Sequence, residues 1–265
     1  MTFKAVPLTP SIGAVVKGPY LGGVPSETTI EKLRELLAQH LVLALPNQAL
    51  TIDELESLAG RFGPLFLHHA DEGVLYANEN KTVLEMRKEP DGTRLFGGSD
   101  WHADVTFRRP EAYLSFLRAE ILPDCGGDTA FASTILAWQS LTPAMQTLLR
   151  PLHAVHSYNG PGMPDHETET AVHPVVRIHP DTGEEGLYIN KMFATRFEGM
   201  SATESRPLIE FLDRHMSQPQ FTCRISWQPN QLTIWDNRFT LHYPINDFVG
   251  QRRLLYRCTA MLGPA

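Results

Sequence analysis

The stretch FTCRISWQPNQLTIWDNRFTLHYPINDFVGQRRLLYRCTAM, residues 221–261, decides the fold class. Within it FTCRISW, QLTIWDN and RLLYRCTAM are short and rich in β-branched and aromatic residues, and no helical pattern separates them. ISWQPNQLTIW reads as a tight reversal, and upstream IHPDTGEEGLYIN (178–190) carries the turn residues of a hairpin. A doubly wound sheet needs regular βαβ alternation, which the C-terminal half of the chain does not show. Working outward, LVLAL (41–45), TVLEMR (82–87), AYLSFLRA (112–119), GDTAFAS (127–133) and HPVVRIH (173–179) have the same strand character. The expected architecture is α+β, a sandwich or jelly roll with flanking helices on one side.

Four segments carry helical signals. TTIEKLRELLAQHL places Thr28 and Glu31 at capping-box spacing, followed by an apolar stripe of Ile30, Leu33, Leu37 and Leu41. TIDELESLAGRFG repeats the pattern with Thr51 and Glu54, and Gly63-Pro64 as a stop. STILAWQSLTPAMQTLLRPL (133–152) predicts a third helix and SATESRPLIEFLDRHM (201–216) a fourth.

The chain has 265 residues, 42% hydrophobic and 20% charged, with a formal net charge of −7. No repeat or linker divides it, so a single domain over 1–265 is expected. The acidic balance and the lack of a basic run argue against nucleic acid as a partner. No apolar run approaches the roughly 18 residues of a membrane span, and MTFKAVPLTP lacks the apolar core of a signal peptide. Three scattered cysteines, Cys125, Cys223 and Cys258, fit neither a disulfide framework nor a thiolate zinc site. A cytoplasmic protein is expected.

Chemistry concentrates in two places. In WHADVTF (101–107), His102 and Asp104 stand two apart, so in an extended segment both face one side. That is how a metal site begins, but taken alone the pair reads first as an ordinary hydrogen-bonded His–Asp pair in a loop. In the C-terminal stretch, His242 closes a strand, and Arg253 and Arg257 share one face of the last strand, about 13 Å apart. Leu255 and Thr259 take the same face, while Leu254, Tyr256 and Cys258 take the other. Each arginine alone reads first as a structural ion pair with one of the chain's own carboxylates, because a buried guanidinium needs an anion. Together, two histidines and one carboxylate make the facial triad of non-haem Fe(II) oxygenases, and a planar arginine suits the carboxylate of an organic co-substrate. A zinc-dependent hydrolase on a cupin-like barrel and a non-catalytic small-molecule binder stay open as rival readings.

WHADVTF, PDCGGDTAFAS (123–133), HPVVRIHPDTGEEGLYIN (173–190), WQPNQLTIWDNRFTLHY (227–243) and RRLLYR (252–257) occur in the order of a known family. The chain resembles the taurine dioxygenase and 2,4-dichlorophenoxyacetate dioxygenase group of Fe(II)/2-oxoglutarate-dependent enzymes, from about residue 6 to residue 262. AWQSLTPAMQ and FTCRISW are also similar to enzymes that open aryloxypropanoate herbicides. The resemblance implies a double-stranded β-helix (jelly roll) and a hydroxylase that uses Fe(II), 2-oxoglutarate and O2. It implies His102, Asp104 and His242 as iron ligands, with Thr129 and Arg253 holding the 2-oxoglutarate carboxylate. Arg257 and His68 match positions that hold a substrate's anionic head group, and Tyr158 and Phe193 match aromatic positions lining that pocket. Asp71 and Gly98 stand where the taurine enzyme has a tyrosine and an asparagine, which argues against taurine itself. Asp71 is a candidate contact for an amine or a solvated loop residue. The retained Asp104 favours hydroxylation over halogenation. The implied substrate is a small organic anion (a sulfonate, aryloxyalkanoate or alkyl sulfate), with a larger biosynthetic substrate as the alternative. A dimer or tetramer would be typical.

Among other signals, His153 and His156 read as structural, and His173 and His179 carry no assigned role. Trp101, Trp235 and the pair Asp236-Asn237 are expected to support the ligands from behind. RKEPDGTRLFGGSD (87–100) is either a lid or a plain loop.

Overall fold

The computed structural model describes residues 3–67, 75–92, 100–158 and 168–263. Eight strands form a large mixed sheet, in spatial order Lys4–Pro7, Ala14–Lys17, Val42–Leu45, Leu232–Asp236, Ala112–Ile121, Arg253–Met261, Val83–Lys88 and Leu75–Tyr76. Only the Ala14–Lys17/Val42–Leu45 pairing is parallel; the other pairings in this sheet are antiparallel. A three-stranded sheet, Thr222–Ile225, Thr129–Ser133 and Thr240–Pro244, packs against one face of it. A second three-stranded sheet, Ala194–Phe197, His153–Tyr158 and Glu169–Pro174, and the pair Val176–Ile178/Glu185–Leu187 complete the strands among the described residues.

Alternation along the strands sorts the core into two layers. Leu43, Leu45, Leu114, Phe116, Leu232, Ile234, Cys258 and Ala260 face the helices Glu27–His40 and Ile52–Gly60, which bury Ile30, Leu33, Leu37, Leu55 and Leu58 against them. The intervening Val42, Ala44, Leu117, Ala119, Trp235 and Leu255 face the small sheet and meet Phe131, Cys223 and Ile225. Val42–Leu45 is therefore apolar on both faces, which is why it reads as a short continuous run. The helix Ala202–Met216 seals a further apolar cluster with Ile209, Leu212 and Met216 against Trp138, Leu149 and Phe197.

Two expectations need correction. The helix expected over 133–152 is two, Thr134–Gln139 and Pro143–Leu149. Pro143 has no N–H to continue a helix and pushes Thr142 to extended backbone (ψ 151°), so Thr142 caps a new one. The first helix is capped by Ser26 rather than Thr28, the Ser26 side chain accepting from Thr29 N. The Thr51–Glu54 box is present, and Ser201 and Glu204 form a second. No helix among the described residues is long and apolar enough to cross a membrane.

Candidate active site

The site lies between the large sheet and the small one. Thr240–Pro244 is an edge strand of the small sheet, and His102 extends it by one antiparallel bridge to His242. The two residues exchange backbone hydrogen bonds, His102 N to His242 O at 3.0 Å and the reverse at 2.8 Å. Their rings stand 4.1 Å apart between centroids. Ala103 turns the other way into the apolar cluster under the helix Ala202–Met216, so Asp104 returns to the side of His102. One ligand atom from each of His102, Asp104 and His242 lies within 4.8 Å of the others, and all three side chains are buried.

The protonation states suit a metal. His102 Nδ1 sits 3.1 Å from the Asp100 carbonyl, which can only accept; the ring proton is therefore on Nδ1 and Nε2 keeps its lone pair. Burial pushes both imidazoles down, His242 to about 3, so both are neutral near pH 7. Burial would raise the Asp104 carboxyl, but Arg257, His242 and His102 outweigh it and hold Asp104 well below the usual carboxylate range. Two neutral imidazoles and one ionised carboxylate are the donor set a divalent cation needs without first displacing a proton.

Asp104 is held on several sides. Its Oδ2 accepts from Ser115 Oγ at 2.6 Å, and its N–H donates to Asn237 Oδ1 at 3.1 Å. Asn237 in turn donates to Ser115 Oγ at 2.9 Å and accepts from Trp235 Nε1 at 3.0 Å. The turn bearing Asn237 is fixed by Arg238, which forks onto Asp236 with Nη2–Oδ2 at 2.6 Å. Asn237 thus stands directly behind Asp104, with Trp235 and Asp236 fixing it in turn. Trp101 packs on Tyr243, 5.6 Å between rings, beside the bridge. Ser115 was missed, although in AYLSFLRA it is the hydroxyl on the face it shares with Leu117 and Ala119.

Arg253, Leu255 and Arg257 line one cavity with His102, His242, Thr129 and Trp235; Met86, Leu117 and Pro244 complete its wall. Its open space is about 450 Å³, mouth included. Arg253 is buried, and its Nη2 donates to the Gly127 carbonyl at 3.0 Å. Gly127 has φ +73°, and a Cβ there would meet Arg253 Nε and Phe248 at 3.3 Å, so only glycine lets that loop pass. Burial pushes the Arg253 guanidinium down to about 10, partly offset by Asp128. Thr129 opens the central strand of the small sheet, and its Oγ1 accepts from Trp227 Nε1 at 3.2 Å.

Arg257 shares this cavity, but its Nη1 donates to Asp104 Oδ1 at 2.7 Å. The arginine expected at the substrate here neutralises a candidate iron ligand. On the other flank of His102, Phe193 stands edge-on at 6.5 Å, and Tyr158 stacks on Phe107 at 4.8 Å with Phe193 against both. Tyr158 and Phe193 therefore do meet near the triad; Phe107, inside the quoted WHADVTF, is a third member that was missed. His68, Asp71, Gly98 and the segment 93–99 of the possible lid lie outside the described residues. His153 is exposed, and His156 and His173 are buried in a polar frame behind the site. His179 receives the N–H groups of Asp181 and Thr182 in the turn that joins the pair Val176–Ile178/Glu185–Leu187.

Comparison with known proteins agrees with this geometry. Residues 4–259 match the family described as taurine catabolism dioxygenase TauD, TfdA. The chain is 33% identical to an alkylsulfatase of Acinetobacter baylyi, covering 95% of this chain and 83% of that one. It is 31% identical to an alpha-ketoglutarate-dependent sulfate ester dioxygenase of Pseudomonas putida, covering 96% and 87%. A taurine dioxygenase from Burkholderia xenovorans superposes with a TM-score of 0.86 at 29% identity, covering 98% of this chain and 89% of that one. The chain belongs to the TauD/TfdA family and is a dioxygenase that uses Fe(II), 2-oxoglutarate and O2.

Proposed function

We propose that the enzyme hydroxylates one C–H of a small organic anion, an alkyl sulfate ester ahead of sulfonates and aryloxyalkanoates. One observation carries this reading: two guanidinium groups, Arg253 and Arg257, open from one strand face into the cavity that holds His102 and His242. In this reading His102, Asp104 and His242 hold the iron, and Arg253 with Thr129 receives the far carboxylate of 2-oxoglutarate in a planar, charge-assisted grip. Arg257, which meets Asp104 through Nη1, turns to the anionic head of the substrate once a bound cation balances the Asp104 charge. The apolar wall of Met86, Leu117, Leu255 and Trp235 keeps water from the reacting atoms, and the aromatic trio Phe107, Tyr158 and Phe193 offers an apolar flank for an alkyl or aryl body. His68 and Asp71 remain candidates for the same head group or an amine.

Iron and 2-oxoglutarate, when bound, supply the oxygen activation, with succinate and CO2 as by-products. The chain's own part is orientation: Asp104 is fixed by Ser115 and Asn237, and the substrate by its charge, so that one carbon is presented. If that carbon bears a sulfate ester oxygen, the hydroxylated product collapses to an aldehyde and sulfate. The sulfate ester and alkylsulfatase relatives, at 31% and 33% identity, support the sulfate class ahead of the others. We take the fold as the double-stranded β-helix, with the large and small sheets as its two faces, and the whole chain as one catalytic unit. Free Cys125, Cys223 and Cys258 favour the reducing cytoplasm.

The test is succinate release with medium-chain alkyl sulfates, alkanesulfonates and aryloxyalkanoates, for the wild type and Arg257→Ala. The reading expects turnover of a sulfate ester, and an Arg257→Ala variant whose KM for that ester rises while its affinity for 2-oxoglutarate stays. Equal loss of both would overturn the division of labour between the two arginines.

A further inference from the structure

The turn that carries Asp104 is under load. Val105 has φ +44°, in the left-handed region that a β-branched side chain resists. The next residue, Thr106, is buried and tied at both of its oxygen atoms. Its Oγ1 shares a 2.8 Å hydrogen bond with His156 Nδ1 and accepts one of 3.1 Å from Asn190 Nδ2; its carbonyl accepts one of 2.8 Å from His173 Nε2.

These three partners come from separate segments and are themselves anchored. His173 Nδ1 accepts from Arg177 Nη2 at 2.8 Å, and Arg177 is fixed by Glu111 at 2.6 Å and by the Tyr188 ring at 3.6 Å. Asn190 Oδ1 accepts from Phe193 N at 3.0 Å, which joins the frame to the aromatic flank. None of Thr106, His156, His173 and Asn190 lines the cavity that holds His102 and His242. The histidines His102 and His242 need no such frame, because their backbones hold each other. Among the described residues Asp104 has no strand partner; it stands at the start of a turn.

We infer that Thr106, held from behind by His156, His173 and Asn190, is a positioning residue that keeps the strained Val105 turn in place and so aims Asp104 at the metal. The inference rests on reading Asp104 as an iron ligand. Without the Thr106 hydroxyl, Val105 relaxes toward negative φ and carries the Asp104 carboxylate off the point where the two imidazoles converge.

Mn(II) affinity of the metal-free protein, measured by calorimetry, tests this without turnover. Thr106→Ser keeps the hydroxyl and should bind within about twofold of wild type, whereas Thr106→Val should bind roughly tenfold more weakly. Adding Val105→Gly to Thr106→Val removes the reason to relax, so the double variant should recover most of that loss. The idea is overturned if Thr106→Val binds as wild type does, or if Val105→Gly weakens it further, as a plain loss of rigidity would. Should Thr106→Val fail to fold, His156→Phe removes one of the three hydrogen bonds and takes its place in the same comparison. Asp104→Ala separates the two readings. If it binds Mn(II) as wild type does, the triad reading falls; if it loses Mn(II) while Thr106→Val keeps it, only the role of Thr106 falls.

Discussion

Replacing Arg257 with methionine should destabilise the metal-free enzyme far more than the metal-loaded one. Arg257 Nη1 is 2.7 Å from Asp104 Oδ1, and both side chains are largely withdrawn from water. Removing one partner of such a pair leaves a buried charge uncompensated, at a cost of about 3–5 kcal/mol. The lower end applies here, because Asp104 keeps its hydrogen bond from Ser115 Oγ. For a chain of this size about 3 kcal/mol corresponds to a fall of roughly 6–12 °C in Tm. A divalent cation between His102, Asp104 and His242 supplies the missing positive charge, so saturating Mn(II) should return the variant to within about 3 °C of loaded wild type. Thermal unfolding with and without Mn(II) measures both numbers. An equal fall in the two states would refute the reasoning, since it would mean that the metal and Arg257 do not share Asp104.

Two further outcomes follow from the same geometry. Ser115→Ala removes the 2.6 Å hydrogen bond to Asp104 Oδ2 and leaves Asn237 Nδ2 without its acceptor; Mn(II) affinity should drop about tenfold and stability by roughly 1–3 kcal/mol, read by calorimetry and denaturant titration. His156 is pushed down to about 3 by burial, then by His173 and Arg177, so it is neutral in the native state down to that pH. In the unfolded chain it protonates near 6.5, so the unfolded state binds the extra proton and stability falls as pH drops from about 6.5 toward 3. His156→Phe should therefore flatten the pH dependence by about 1.4 kcal/mol per pH unit across that window, and an unchanged slope would contradict the buried neutral state.

Local chemistry made much of the molecule legible. The alternation in QLTIWDN and RLLYRCTAM does separate helix-facing from cavity-facing residues: Ile234, Cys258 and Ala260 pack outward, while Trp235, Leu255 and Arg257 point to the site. His102 and Asp104 share a side because Ala103 between them goes to the core. Where two signals competed, the nearer one misled. Apolar periodicity over 133–152 hid the break that Pro143 imposes, and Thr28 hid a better cap two residues earlier. What could not be read was pairing across long separations. Arg257 meets Asp104 over 153 residues, and Thr106 gathers partners from 50, 67 and 84 residues away. Nothing in the local pattern of VTF distinguishes that threonine from a surface turn residue; only the assembled sheets bring its partners to it.

The most direct test of the central claim is an anaerobic titration of the metal-free enzyme with Fe(II) and then 2-oxoglutarate, followed by visible absorption, with His102→Ala and Arg253→Ala alongside. Iron held by His102, Asp104 and His242, with the keto acid anchored at Arg253, predicts a weak charge-transfer band in the wild type that neither variant develops at the same concentrations. A band of full strength in His102→Ala, or none in a folded, iron-loaded wild type, would contradict the assignment of this site.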